Sequence, residues 1–586
     1  MTSEKLTTSG PTPFTVLKAA LIILAGAFIF GPTLRGGWLW DDNQEVTDNP
    51  VLPDPAGLAK IWAGTAGADY FPLKTTVQWF EWRLWGPNPA GYHAVSVALH
   101  LLSALLFWRL LRKLGLGAAW IGGLLFVVHP VAVESVAWAA ELKNTLSLPF
   151  LLLAMIAYVQ FDQNDQKGPG PKFLNSSDEF KNLGPGPFLF YWLSLLCFLL
   201  AMLAKSSVVM FPCVILLHAW WKRRRIGGRD LAASAPFFII SLILGAVTLW
   251  FQQHRAMHTE PVVLGGLFSR LAGAGLALTF YLWKSVWPAG LSPIYPRWPV
   301  DPQSVLPWLP WLAAGAAGAW LWSARSGWGR TVIFGLGFFS LNLLPVLGFV
   351  AITYMRITWV ADHFAYVSIL GVIGLAVAVV DRAHASWPVG TWSCVALAVM
   401  VLTVESRRYA VVFRSEESLW TYTLQRNPRA WSAHYNLATR LAQRHELPEA
   451  VEHFEQTLRL KPEFTDAHYN LGNTYFLEGR LEEAVGQYAE TLRLDPGYVD
   501  AHIGLGNIFM RENRLPDAIA QFEEVLRRKP GFAEIHASLG DAWYLAGRVP
   551  EAISQYEEAL RLKPGDLRTL SHLETARRAR RGESPR

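Results

Sequence analysis

Residues 465–496 read TDAHYNLGNTYFLEGRLEEAVGQYAETLRLDP, and the pattern returns at 499–530 as VDAHIGLGNIFMRENRLPDAIAQFEEVLRRKP, a shift of 34 residues. Working outward, Pro462, Pro496, Pro530 and Pro564 keep that spacing, as do Leu437, Leu471, Leu505 and Leu539. Ala450, Ala484, Ala518 and Ala552 do the same, each followed four residues on by Phe454, Tyr488, Phe522 or Tyr556. Gly472, Gly506 and Gly540 follow three of the leucines. A period of this length reads as stacked helix pairs, with small residues where helices cross and Pro at the turns. Four repeats fill 431–566, a half-repeat of 415–430 ends in Asn427-Pro428, and a capping helix follows from 567. The expected repeat domain is thus 415–572, with a basic tail of 573–586.

This is the tetratricopeptide pattern, whose stacked pairs offer a concave surface to extended peptides or partner helices. His434, His468, His502 and His536 recur at one repeat position. They lack paired ligand spacing, so they read as packing positions rather than a metal ladder. Asn436, Asn470, Asn473 and Asn507 are candidates to hydrogen-bond a peptide backbone.

The other 414 residues are of a different kind. The chain is 52% hydrophobic with a mean hydropathy of +0.22, both high for a soluble protein. Many of the 27 Trp stand near the ends of apolar runs, as in interfacial belts. Runs of roughly 17–25 residues suffice to cross a bilayer. Expected spans are 15–34, 93–112, 118–137, 144–161, 188–204, 206–221, 232–251, 305–323, 331–351, 363–381 and 389–405. Lys5 and Lys18 before the first run give it the character of a retained signal anchor. The three cysteines lie inside apolar runs, which argues against disulfides and zinc. No basic domain or groove-reading motif points to nucleic acid.

Loop charge orients the spans. Lys222, Arg223, Arg224, Arg225 and Arg229 mark the cytoplasmic side. Counting back puts Arg112, Lys113 and the loop of Lys167, Lys172 and Lys181 inside, with Asp41 and Asp42 outside. The 266–288 stretch carries Arg270 and Lys284; read as re-entrant or interfacial, it leaves Arg325, Arg330 and Arg382 inside. That reading gives about eleven spans and an extracytoplasmic repeat domain. Asn175-Ser176-Ser177 matches a glycan acceptor pattern but falls inside.

The outer face then gathers Asp41, Asp42, Lys74, His93, His129, Glu134, Lys143, Lys205, Lys284, Arg356, Asp362 and His363. Ionisable groups at span ends are functional candidates by default. Acids and bases at one depth make a pocket able to bind a charged headgroup and move a proton.

The arrangement resembles the transmembrane and tetratricopeptide-repeat O-mannosyltransferases, C-type glycosyltransferases that use sugars carried on polyprenyl phosphate. The resemblance rests on Trp40-Asp41-Asp42 with Asn49-Pro50; Phe71-Pro72-Leu73; Gly86-Pro87-Asn88-Pro89 with Gly91-Tyr92-His93 and His100; and His129-Pro130-Val131 with Glu134-Ser135-Val136-Ala137-Trp138. It continues through Ala204-Lys205 with Pro212, Tyr281-Leu282 with Lys284 and Pro288, and Asp362-His363 with Tyr366. Four places depart from the family pattern. Phe71 stands where Arg is frequent, and Leu142-Lys143-Asn144 where Arg-Lys-Asp is common. Ser206 stands where an acid often follows, and Asp362-His363 where Glu-Arg is usual.

The resemblance implies an all-α fold: a polytopic membrane domain (1–414) of about eleven helices, followed by a repeat solenoid. It implies an inverting enzyme that moves a hexose such as mannose from polyprenyl phosphate to a protein hydroxyl by single displacement. The setting implied is the cytoplasmic membrane of a bacterium, with site and repeats facing outward. Such chemistry needs a base for the acceptor hydroxyl, and Asp41 or Asp42 is the candidate, its partner orienting the acceptor or binding a cation. His129 and Glu134 complete the acceptor side. A lipid-phosphate leaving group needs fixed positive charge, for which Lys205, Lys284, Arg356 and His363 are candidates. Lys74, His93, Tyr281 and Asp362 are candidates to line the acceptor pocket. No resident cofactor is expected; a divalent cation on Asp41 and Asp42 stays open, without a second ligand cluster of convincing spacing. The expected partners are membrane lipid, lipid-linked sugar and an acceptor protein held by the repeats. Two other readings stay open: a non-catalytic membrane anchor for a repeat scaffold, and a flippase for lipid-linked glycans.

Overall fold

The computed structural model describes residues 12–65, 67, 69–166, 187–257, 262 and 264–582. Lys5, the Lys167, Lys172 and Lys181 loop, the Asn175 motif and the last four residues lie outside them. The described residues form helices and no strand. They divide into two units, Met1–Pro428 and Arg429–Arg586.

In the first unit, seven helices are long and apolar enough to cross a membrane. They are Pro13–Phe30, Pro89–Lys113, Ala139–Asn164, Gly228–Ala256, Gly329–Val346, Ile369–Ser386 and Pro388–Val412. An eighth counts if Ala119–Val128 and Pro130–Ala137, bent by 57°, are one span. The bend has a local cause. Pro130 has no N–H and pushes His129 out of the helical region, where it sits at ψ 122°. The His129 ring repairs the break by accepting from Val131 N at 3.3 Å.

The expectation of eleven spans meets shorter helices here. Stretches 206–221 and 305–323 fall on Phe211–Arg223 and Leu309–Ser323, each extended by a 3₁₀ turn. The α-helical parts alone rise about 20–23 Å, and with their 3₁₀ turns each reaches about 28–30 Å, close to a hydrocarbon core of roughly 30 Å. The 266–288 stretch is one helix, Leu267–Val286, outside the seven.

Burial sorts the long helices. In its most apolar stretch 83% of Ala139–Asn164 is buried, against 17% for Gly228–Ala256 and Pro388–Val412. The last two expose Ile239, Leu242, Ile243, Leu397, Met400 and Val401. Such exposed apolar side chains are at home against lipid. Close approach replaces hydrophobic drive between helices. A Cβ on Gly122 would stand 2.2 Å from Leu111, so the Pro89–Lys113 and Ala119–Val128 helices touch through glycine.

The helix Glu416–Arg426 corrects the half-repeat reading, because it belongs to the first unit. Trp420 is fully buried there, edge-on to Trp40 at 5.0 Å, and the Tyr422 hydroxyl donates to Leu291 O at 3.1 Å.

The second unit has four helix pairs and a last helix. The pairs are Trp431–Gln443 with Leu447–Leu460, Thr465–Glu478 with Leu481–Leu494, Val499–Arg511 with Leu515–Arg528, and Ala533–Leu545 with Val549–Leu562. Leu567–Arg580 closes the series. A Cβ on Gly472, Gly506 or Gly540 would lie 2.5–2.8 Å from the ring of Tyr488, Phe522 or Tyr556, which is why these positions lack one. Three of the four candidate asparagines work internally. Asn436 donates to Ser432 O, Asn470 to the Tyr435 hydroxyl, and Asn473 accepts from Tyr488, leaving Asn507 exposed.

The histidines are clasps. Nε2 of His468, His502 and His536 meets the carbonyl of Pro462, Pro496 or Pro530, and Nδ1 meets the side-chain amide of Gln487, Gln521 or Gln555 at 2.7 Å. In the first repeat His453 replaces that glutamine, and its Nδ1 lies 2.9 Å from Nδ1 of His434. Burial, with His434 beside it, holds the His453 ring below its ordinary value. The folded repeat therefore resists a proton that the unfolded chain takes up near pH 6.5, and it loses stability as pH falls through that value. His453→Gln should restore the clasp and gain about 0.5–1 kcal/mol. Hydrogen-exchange protection of 431–460 should drop between pH 7.5 and 5.5 in the parent and stay level in the variant.

Candidate functional site

The site is built from two loops fastened to each other. The first follows the Pro13–Phe30 helix and runs through Gly36, Gly37, Trp38, Leu39, Trp40, Asp41 and Asp42. Trp40 has φ +45°, a left-handed conformation that costs a non-glycine residue about 1 kcal/mol or more. Its surroundings hold it there. The ring stacks on Trp138 at 5.2 Å with planes 6° apart, and Trp40 N donates to Glu416 Oε1 at 2.9 Å.

Asp42 is the fastener. It is fully buried, and its carboxyl accepts from Leu39 N at 2.8 Å and, across 98 residues, from Ala140 N at 2.6 Å. The Trp138 indole N–H adds a bond to Leu39 O at 3.3 Å. Burial pushes the Asp42 carboxyl up to about 8, against the pull of those two N–H groups. Asp41 is half-buried and, among the described residues, its carboxyl takes part in no hydrogen bond. Burial raises it only to about 6, because the Lys143 ammonium opposes the rise. Neighbouring carboxyls with such different surroundings can take different roles.

The second loop ends in Ala139-Ala140-Glu141 and opens the long buried helix. Glu141 is buried between two ammoniums, with Lys143 Nζ at 3.0 Å and Lys205 Nζ at 3.6 Å. Asn144 locks the group, donating to Glu141 Oε2 and accepting from Lys205, each at 2.5 Å. Lys205 hinges Pro187–Ala204 to the 3₁₀ turn Ser206–Met210. Burial pushes its ammonium down to about 8, with Glu141 opposing. Glu134 Oε2 accepts from His363 N at 3.0 Å, and the His363 ring lies 3.0 Å from Oε1. The charges of Lys143, Glu45, Glu141 and His363 all act on Asp41. Glu45, one turn beyond Asp41, is ion-paired with the buried Lys74. Burial works to raise the Glu45 carboxyl, but the Lys74 and Lys143 ammoniums outweigh it and hold it low.

Asp41, Asp42, Glu134, Lys74, Lys205 and His363 thus come together, and six candidates do not join them. Both His129 ring nitrogens are engaged in the bend, Nε2 with Ser285 O at 3.2 Å. Lys284 donates to Ala289 O and Gly290 O. Arg356 donates to Ala256 O. Asp362 accepts from the hydroxyls of Tyr295 and Tyr409, and burial holds it well above the usual carboxylate range. The Tyr281 hydroxyl accepts from Ala361 N at 3.0 Å, bracing the loop ahead of His363. His93 is buried in the first turn of its helix, facing the backbone of Gly37. Glu45, Glu141 and Asn144 are the members that sequence reasoning missed. The spacing of Glu45 from Asp41, and of Glu141 from Lys143, was the available signal. Among the described residues no group of three His, Cys, Asp or Glu side chains is placed to hold a metal ion.

The chain resembles the protein O-mannosyl-transferases. It is 30% identical over 217 residues to protein O-mannosyl-transferase TMTC1 of Mus musculus, covering 34% of this chain and 22% of the relative. The Homo sapiens TMTC1 is 29% identical over 215 residues, covering 34% and 23%. Protein O-mannosyl-transferase F38B6.6 of Caenorhabditis elegans is 26% identical over 160 residues, covering 25% and 23%. The chain spans under a quarter of the length of these relatives. A tetratricopeptide repeat family model matches 435–499 and 503–566. Among solved structures, MamA from Desulfovibrio magneticus RS-1 is 20% identical, covering 26% of this chain and 86% of that chain, with a TM-score of 0.25.

Proposed function

We propose that this protein is a membrane glycosyltransferase that moves a hexose from a polyprenyl-phosphate carrier to a hydroxyl group of a protein. The observation that carries the reading is Asp41: a half-buried carboxyl without a described hydrogen bond, within the field of Lys143 and next to the Glu141–Lys205 pair. Asp41 takes the proton of the acceptor hydroxyl as its oxygen bonds to the anomeric carbon. The bond from that carbon to the phosphate oxygen breaks on the opposite face, so configuration inverts. The electron pair stays on the phosphate, where Lys143 and Lys205 meet the growing negative charge. Asp42 is occupied with two backbone N–H groups and holds the loop rather than the proton. The reaction lies on the side of the membrane opposite Lys222–Arg225, the repeats on that same side, in the cytoplasmic membrane of a bacterium. Resemblance to the O-mannosyl-transferases supports mannose as the hexose and a protein as the acceptor.

The test is purified full-length protein in lipid, given polyprenyl-phosphate mannose and a candidate acceptor protein. A mass gain of one hexose on the acceptor is the expected result. No product from any polyprenyl-phosphate hexose, with Asp41→Asn tolerated in the cell, would favour the scaffold reading. A chain ending at Pro428 keeps Trp420 and the Glu416 bond, so it should bind the lipid donor like the full chain. Without the repeats, its transfer to protein should fall at least tenfold, through lost effective concentration. Full transfer by that shortened chain would show the repeats dispensable.

A further inference from the structure

We propose that a cavity of about 220 Å³ lined by Glu45, one turn from Asp41, holds the sugar ring of the donor, read by Gln44, Asp48 and Asp69. The inference rests on the glycosyl-transfer reading and assigns a place to the group being moved.

The cavity lies between the segment that follows Asp42 and the loop leading to the Pro72–Trp85 helix. Its size equals roughly seven waters at about 30 Å³ each, the scale of one six-membered sugar ring with its hydroxyls. Its lining suits such a guest. Glu45, Asp48 and Asp69 supply carboxylates, Gln44 and Asn49 amides, and Lys74 one ammonium. Among the described residues, the Gln44 amide and one oxygen each of Asp48 and Asp69 take part in no hydrogen bond. They are acceptors and donors open to the cavity. A carboxylate accepts from two neighbouring hydroxyls at once, and such charge-assisted bonds are the strong kind.

Charge sorts the two ends of the donor. Three carboxylates and one ammonium line the cavity, and the Lys143 ammonium, whose charge acts on Glu45 and Asp69, leads from this wall to the Glu141–Lys205 pair that attracts a phosphate. A neutral, hydroxyl-rich ring is what remains for the acidic side. The wall is also braced in advance. Gln252 donates to Asp69, and Arg255 donates to Gly64 O at 2.6 Å and Gly67 O at 3.2 Å. Tyr70 lies in the same wall, its ring stacked on Phe251 at 5.3 Å. Binding a ring here orders little that is not already ordered.

The test uses the full chain in lipid discs and the double variant Gln44→Ala with Asp48→Ala, two exposed positions whose loss leaves the loop's bonds to Gln252 and Arg255 in place. Saturation-transfer NMR with methyl α-mannopyranoside should give a signal with the parent and none with the variant. Affinity for polyprenyl-phosphate mannose should fall about tenfold or more, and affinity for polyprenyl phosphate should stay within twofold. The inference is overturned if the variant binds the free sugar like the parent, or loses both lipids equally. It is also overturned if only the KM for acceptor protein rises, or if the difference between parent and variant is seen only with Mn²⁺. A parent that binds methyl mannoside through these residues yet never transfers a hexose would sink the glycosyltransferase reading and leave the sugar site standing.

Discussion

Asp41→Asn should lower hexose transfer by about 10²–10⁴-fold with no loss of folded protein. Asparagine matches the shape but cannot take the acceptor proton, so about 3–5 kcal/mol of barrier lowering is lost. Stability should hold within about 0.5 kcal/mol, since no described hydrogen bond depends on the Asp41 carboxyl and its burial is itself costly. Donor affinity should be unchanged, because the phosphate meets Lys143 and Lys205 instead. The pH profile is the sharper readout. A base whose carboxyl is raised to about 6 must be ionised to work. Parent activity should therefore climb with pH through a midpoint near 6, and residual activity of the variant should lack that limb. Variant activity within threefold of the parent, with the limb retained, would move the base elsewhere.

Asp42→Ala should do the opposite: damage the fold first and the reaction only through it. It leaves the N–H groups of Leu39 and Ala140 buried without an acceptor, at about 1–3 kcal/mol each. A combined cost of about 2–6 kcal/mol is a large share of the 5–15 kcal/mol typical of a whole domain. The left-handed Trp40 between them also loses one of its restraints. Thermal unfolding in detergent should show the loss directly, together with a change in pH dependence. The Asp42 carboxyl is raised in the fold, to about 8, above its unfolded value of 3.8. Its contribution is fully present below about pH 4 and lost as pH rises through 8, so the parent should weaken between pH 6 and 8.5 more than the variant does. Equal melting temperatures for parent and Asp42→Ala would show that the two loops are held by something else.

The repeats were legible because a 34-residue period is set by close contacts that sequence shows directly. Gly472 against Tyr488 and Gly540 against Tyr556 are each a missing Cβ facing a ring 16 positions on. Asn427-Pro428 misled for the same reason. It ends its segment as the repeats end theirs, but the burial of Trp420 among first-unit residues is not a local property. In the membrane unit, hydropathy gives depth and not direction. Lys205, Lys284 and Arg356 stand at similar predicted depths, yet Lys284 and one N–H of Arg356 donate to backbone carbonyls. Telling Asp42 from Asp41 required Ala140, 98 residues away. Glu45 and Glu141 were passed over because a lone acid in a polar loop carries no mark until its cation is found.

Glu141 gives the anion site a resident counter-ion. A buried Lys205 ammonium beside the half-buried Lys143 with nothing between them would favour loss of a proton, and the carboxylate keeps both charged. The trio is left with a formal surplus of a single positive charge. On the proposed reading, that surplus matches a phosphodiester on arrival and leaves one negative charge of the departing phosphomonoester uncompensated in the site.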